Sequence, residues 1–219
     1  MKLLSVNLAR SLWVVPYIDL NPRGRSLYPI VPLLVDRYKF LKPPQKPEDF
    51  DQHQGIKFHE GTYINAQGDS ILVNLTILND ALVADTRSST ADCDGFLTDG
   101  LAWLAGEHGL SFSEKMVRLR AYVSEVYVST EYPLRFLNPK LAGFEKLLSS
   151  QVSGYGDISY ELAAISFGAD PKGMIKLAPF RLERAEGVPF SENRYYSAAP
   201  LQTEKHLEML AELERILAG

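Results

Sequence analysis

Cysteine is nearly absent from this chain of 219 residues, which contains a single thiol, Cys93. One cysteine cannot form an intramolecular disulfide, so the sequence predicts a protein of a reducing compartment, the cytoplasm. Long apolar runs are also missing, because no window reaches the roughly eighteen uninterrupted apolar residues of a membrane-spanning helix. The apolar N-terminal stretch is interrupted by Asn7 and Arg10 and has no small-residue cleavage site, which argues against a signal peptide.

An excess of basic residues is missing too, since 27 Asp and Glu residues outnumber 23 Lys and Arg residues and give a net charge of −4. A protein that binds nucleic acid through its phosphates usually carries a surplus of positive charge. Nucleic acid is therefore not expected as the main partner, although a local group of arginines could override the net figure.

Standard catalytic and cofactor motifs are absent as well. No glycine-rich phosphate loop follows a predicted strand, and no run of alternating acidic residues matches an EF-hand loop. The four histidines have no metal-binding spacing, and no serine lies in a nucleophile elbow. We therefore predict no cofactor.

What remains is the composition of an ordinary globular protein, 46% hydrophobic and 23% charged. The length suits one large domain with a real core, and we predict a single α+β domain over 1–219. One stretch resembles a linker, since Leu41–Gly55 is rich in proline and poor in core residues. Because only two strands and a helix precede it, we interpret it as a surface loop, with a minor domain boundary as the alternative.

Hydrophobic periodicity predicts strands that come in runs rather than in strict alternation with helices. That order favours an α+β fold, with a largely antiparallel mixed sheet of about seven to nine strands and about four helices packed on it. No internal repeat is visible in the sequence. The predicted strands are 2–8, 11–20, 56–64, 70–78, 80–86, 115–129, 158–168, 174–184 and 193–199, and the predicted helices are 26–40, 90–108, 137–150 and 203–219.

The predicted strand 115–129 separates apolar from polar residues by alternation. Its inward set is Val117, Leu119, Ala121 and Val123, and its outward set is Arg118, Arg120, Tyr122 and Ser124. Two further valines, Val126 and Val128, fall out of phase with the inward set. We therefore predict a bulge near Glu125 that returns them to the buried face.

The stretch Asp85–Leu104 is rich in carboxylates and hydroxyls and admits two interpretations. In the first, Asp85, Asp92 and Asp94 supply oxygen ligands to a divalent cation that serves hydrolysis or phosphotransfer. Asp99 cannot join them, because it lies about two helical turns from Asp92.

In the second interpretation the same residues end a strand and begin a helix. Ser89 with Asp92 approximates a capping box, the acidic first turn suits the helix dipole, and Gly109 ends the helix. We favour this structural interpretation and predict no metal site. It leaves three residues unexplained, which are the remaining catalytic candidates Asp85, Thr86 and Arg87.

Arginine and tyrosine recur together on the predicted strands of the second half of the chain. Both side chains are enriched in protein interfaces, and both also bind phosphates or single-stranded nucleic acid. A solvated sheet face whose arginines pair with nearby glutamates is the plainer explanation. The candidate binding residues are Arg118, Arg120, Tyr122, Arg181, Arg184, Arg194 and Tyr195.

Because no standard catalytic arrangement survives the spacing test, we expect a non-enzymatic protein that works by binding. It would be an adaptor or an assembly component that binds a protein partner or further copies of itself, with no membrane involved. A bacterial accessory role, in a stress or antiviral defence system, suits a chain without housekeeping motifs. The alternatives are a metal-dependent hydrolase or phosphoesterase that uses Asp85, Asp92 and Asp94, and a nucleic-acid binder that uses the arginine and tyrosine set.

Overall fold

A computed structural model describes residues 1–26, 28–51, 54–156, 158–170 and 176–219. Within these ranges the chain forms eight strands, five α-helices and several short 3-10 turns. The strands are β1 (Lys2–Val14), β2 (Ile56–Ile64), β3 (Ser70–Ile77), β4 (Ala81–Thr86), β5 (Leu119–Ser129), β6 (Ala164–Phe167), β7 (Phe180–Arg184) and β8 (Arg194–Ala199). The α-helices are α1 (Tyr17–Leu20), α2 (Ile30–Tyr38), α3 (Thr90–His108), α4 (Ala142–Gln151) and α5 (Thr203–Ala218).

All eight strands belong to one antiparallel sheet in the order β2-β3-β4-β1-β5-β8-β7-β6. The predicted α+β fold is therefore confirmed. The register of β1 against β4 pairs Ala9 with Thr86 and Trp13 with Leu82. The predicted strand over 174–184 is β7 in its second half, and its first two residues lie outside the described ranges.

The two extended pieces predicted for 2–20 are in fact one strand, β1, followed by the short helix α1. The prediction was wrong because no turn-forming residue separates Leu8 from Ser11, so the chain continues straight through. The strand ends before Pro16, whose ring nitrogen carries no hydrogen for the ladder.

The predicted facing of β5 is also wrong. Ser124, Val126 and Val128 are all buried and lie in one phase, whereas Leu119 is 40% exposed. No bulge is needed, because the two valines set the buried face and Ser124 shares it. The same face of the strand carries the exposed Arg120 and the half-buried Tyr122 at its start, and it is buried at Ser124, Val126 and Val128.

The chain divides into two compact units, and β1 and β5 each contribute to both. The N-terminal unit comprises 6–124 and 201–203, and the C-terminal unit comprises 1–5, 125–200 and 204–219. In the N-terminal unit α2 and α3 pack on one side of the strands around a core that contains Trp13, Phe58 and Phe96. In the C-terminal unit, α5 buries Leu210, Leu213 and Leu217.

Although no internal repeat is visible in the sequence, the two halves of the chain share one connectivity. Apart from the four-residue helix α1 of the first half, each half runs through a long strand, a helix, three further strands and a final long helix. In each half the long strand lies beside the third strand of the following three, as β1 does beside β4 and β5 beside β8. The fold is thus a tandem repeat in which α2 corresponds to α4, and α3 to α5.

A constant separation of 113 residues relates the best-matched parts of the two halves. β4 and β8 have equal length and are each followed by three residues and a helix that begins at a threonine, Thr90 or Thr203. The two threonines bond reciprocally, because each backbone N–H donates to the other hydroxyl, at 3.1 and 2.9 Å. Ser11 and Ser124, also 113 apart, are both fully buried.

Helix α3 begins and ends as predicted. Ser89 is the N-cap and its hydroxyl accepts from the Asp92 amide at 3.0 Å. Gly109 adopts a left-handed conformation at φ +71°, and the Leu110 amide donates back to the Leu104 carbonyl, which is the bond of a Schellman ending. Of the helices in the described ranges, none is long and apolar enough to span a bilayer.

Candidate functional site

Asp85, which the sequence left unexplained, is half of an ion pair. It lies on β4 directly opposite Arg10 on β1, and the guanidinium donates to both carboxylate oxygens at 2.6 and 2.7 Å. Thr86 is buried and its hydroxyl accepts from the Ser88 amide at 2.8 Å, which shapes the turn into α3. Arg87 points into solvent. The three residues thus have separate surroundings and do not converge on one point.

Asp92 is held by its own set of donors at the start of α3. Its carboxylate accepts from the hydroxyls of Ser88 and Ser89, at 2.5 and 2.7 Å, and from the Asn65 amide at 3.0 Å. Burial alone would raise the pKa of Asp92, but these hydrogen bonds to the charged form outweigh it and the pKa is lowered. The carboxylate therefore stays charged in the first turn of α3, where it accepts from the hydroxyl of the N-cap Ser89.

Asp94 connects helix α3 to β1 and β5, whose side chains are distant from it in the sequence. It accepts from the Trp13 indole at 2.8 Å and from the Tyr122 hydroxyl at 3.1 Å. Arg120 lies over the Trp13 ring, 4.3 Å from the centroid, and pairs with Glu114. Burial and the Asp94 charge raise the pKa of Tyr122, so the phenol stays a hydrogen-bond donor at neutral pH.

The remaining carboxylate of the stretch, Asp99, binds helix α2. It accepts from the Tyr38 hydroxyl at 2.5 Å and from Arg37 at 3.0 Å. The aspartates of this stretch therefore have separate partners. Across the described ranges, no group of three or more His, Cys, Asp or Glu residues is placed to hold a metal ion.

Cys93 and the pair Ser197–His206 could act as nucleophiles by their chemistry, but all three side chains are buried. Cys93 donates to the Ala9 carbonyl at 3.3 Å, and burial, followed by the charge of Asp85, raises the pKa of its thiol. The Ser197 hydroxyl oxygen lies 2.8 Å from His206 Nε2, but both residues are fully buried. The serine hydroxyl donates to the Arg181 carbonyl at 2.7 Å. Neither group has the exposure that a catalytic nucleophile needs.

The seven arginine and tyrosine candidates are divided between the two compact units. Arg118, Arg120 and Tyr122 belong to the N-terminal unit, and Arg118 pairs with Asp19 at 3.0 Å. The other four belong to the C-terminal unit, where Arg181 is exposed and Arg194 pairs with Glu192 at 3.0 Å.

The last two candidates, Arg184 and Tyr195, are interior residues of the C-terminal unit. The Arg184 side chain is only 7% exposed and stacks 4.2 Å from the Phe190 centroid, with Glu161 at 3.1 Å. Tyr195 is fully buried, and its hydroxyl accepts from the Leu134 amide at 3.3 Å.

The structure instead exposes apolar side chains that sequence analysis did not select. Helix α4 starts at the predicted Asn138 cap through a 3-10 turn, yet none of its residues is buried. Its apolar face, Phe144 with Leu147, is more than half exposed. Hydrogen bonds hold the helix, because Glu145 accepts from the Leu162 amide and Ser149 from the Tyr160 amide.

A groove on α5 is the second exposed apolar feature of the C-terminal unit. We call it the α5 groove, and it has a volume of about 240 Å³. The sequence contains one sign of this groove, because Met209 and Ile216 are seven residues apart and form a second apolar stripe on α5, next to its leucines. The groove is lined by Phe167, Phe180, Met209, Glu212, Leu213 and Ile216.

Two other cavities are less suited to binding a ligand. The first is an apolar cavity of about 60 Å³ between α2, α3 and the strands, well below the roughly 300–1,000 Å³ of a typical small-molecule pocket. The second, of about 630 Å³, lies near Lys2, Glu131 and Glu214 and has a mixed-charge lining.

No protein-family model matches the sequence, and no curated protein shows significant similarity to it.

Proposed function

We propose that this protein functions by binding another protein chain through the α5 groove and the apolar face of α4. A single observation carries the proposal: the C-terminal unit exposes Phe144, Leu147, Met209 and Ile216, between 47% and 59% each. Exposed apolar groups that cluster on helices and grooves mark sites of protein association. An adaptor or assembly component of the cytoplasm would work in this way.

The distribution of polar groups supports binding over catalysis. The aspartates of 85–99 are each tied to a separate arginine, hydroxyl, amide or indole donor. The buried thiol and the buried serine–histidine pair have no route to a substrate. In contrast to these polar groups, the apolar side chains of α4 and of the α5 groove are open to solvent.

Photo-crosslinking tests the proposal. We expect p-benzoylphenylalanine at position 144 or 209, introduced into the full chain in its native cells, to capture the same protein, which mass spectrometry identifies. A matched control places the probe at Ile64, which is 59% exposed on β2 of the N-terminal unit. Purified, the captured protein should bind the wild type, and Ile216→Asp should weaken that binding at least about tenfold.

The proposal fails if positions 144 and 209 give no adduct, or the same adducts as position 64. It also fails if Ile216→Asp binds the captured protein as tightly as the wild type does.

A further inference from the structure

The α5 groove has a filled counterpart in the first half of the chain. There, α2 packs on α3: the ring centroids of Tyr38 and Phe96 lie 4.8 Å apart, and the Tyr38 hydroxyl bonds Asp99 at 2.5 Å. Arg37 lies over the Trp103 ring at 4.7 Å. This face of α3 is therefore covered by a helix.

Four α3 residues that lie against Arg37 or Tyr38 of α2 have counterparts in the α5 groove. At the separation of 113 residues that relates α3 to α5, all four counterparts line that groove. An acidic residue recurs at the same position, as Asp99 or Glu212. The remaining pairs are Phe96 with Met209, Gly100 with Leu213, and Trp103 with Ile216.

The helix that should fill the α5 groove by this correspondence is α4, but it lies elsewhere. α4 follows β5 as α2 follows β1. Yet α2 buries Ile30, Leu34 and Tyr38, whereas no residue of α4 is buried. A ten-residue helix with no buried side chain is too short to be stable by itself.

We propose that the α5 groove binds helix α4 of a second copy of this chain. The proposal rests on the proposed function, because it names the partner of the same surface. Phe144 and Leu147 would enter the groove, where Leu147 corresponds to the buried Leu34 of α2 at the same separation of 113 residues. Lys146, the neighbour of Leu147, would meet Glu212 at the rim.

A second copy fits because each chain carries both halves of the contact. If the two copies are related by a two-fold rotation, α4 of each occupies the groove of the other, and the assembly closes as a dimer. The exposed apolar groups of α4 and of the groove are then covered together.

Complementary variants test this arrangement by sedimentation velocity. Wild type is expected to dimerise by roughly 100 µM. Phe144→Asp puts a charge on the face of α4 that would enter the groove, and Ile216→Asp puts one into the groove itself. Each variant alone should therefore be a monomer. Mixed in equal amounts, the two should form a heterodimer, since one intact helix–groove contact is restored. It should be weaker than the wild-type dimer, which has two such contacts. Leu72→Asp, at a site 69% exposed on β3, should dimerise like the wild type.

Circular dichroism first establishes that both variants keep the wild-type fold. A wild type that stays monomeric at all concentrations overturns the inference, as do single variants that still dimerise or a mixture that stays monomeric. In those cases a crosslink from positions 144 and 209 to a different protein would leave the proposed function standing.

Discussion

At the scale of single residues, the acidic stretch shows which contacts a sequence can predict. Ser89 and Asp92 are three apart and bond within one turn, so their role as a cap is visible locally. Asp94 bonds Trp13, 81 residues away, and Tyr122, 28 residues away. Such partners are brought together only by the fold, and periodicity carries no information about them.

Asp92 gives a prediction about pH. Its pKa is lowered in the folded protein, so it adds stability above the unfolded pKa near 4, and that contribution is lost as pH falls through the folded pKa. Asp92→Asn should therefore lower the free energy of unfolding by about 0.3–1 kcal/mol at pH 7. The difference from wild type should shrink below about pH 4.

Urea denaturation across that pH range measures the effect. The control is Asp36→Asn, because Asp36 is 88% exposed and pairs with Lys39 on the surface. A loss for Asp92→Asn that stays constant down to pH 2 would show that the charge plays no part.

At the scale of elements, hydrophobic periodicity predicted where most helices and strands lie. It predicted only in part which side of each element is buried. The bounds of α3 and the existence of β2, β3 and β4 were predicted, because capping residues and turn glycines mark them. The phase of β5 was misjudged because Ser124 is buried among valines. The exposure of α4 was not predictable either, since an apolar stripe does not reveal what covers it.

Two glycines should respond in opposite directions to alanine. A Cβ at Gly61, beside the bulge of β2, would lie 2.4 Å from the buried Phe40 ring, whereas at Gly106 in α3 nothing lies within 4 Å. Gly61→Ala should cost about 1–3 kcal/mol of stability through overpacking. Gly106→Ala should add roughly 0.5–1 kcal/mol, because alanine favours the helix.

Chemical denaturation of both variants beside wild type provides the comparison. Equal stability of Gly61→Ala and wild type would mean that the Phe40 ring does not pack against this bulge.

At the scale of the whole molecule, the two halves of the chain share one order and pairing of strands and helices, although most of their corresponding residues differ. The corresponding positions Cys93 and His206 are both fully buried but chemically unrelated, and Gly100 corresponds to Leu213. Identities such as Thr90 with Thr203 and Leu97 with Leu210 are scattered among such differences, while connectivity and burial coincide. The repeat also explains why the α5 groove matters: its counterpart is covered by a helix of the same chain.

Hydrogen exchange of α4 at two protein concentrations tests this central claim most directly. We predict that α4 amides exchange rapidly at roughly 1 µM and become at least about tenfold better protected at roughly 100 µM, as the groove of a second copy covers them. The amides of α2, which is already packed on α3, should be equally protected at both concentrations. If α4 exchanges at the same rate at both, no second copy covers it, and the account is contradicted.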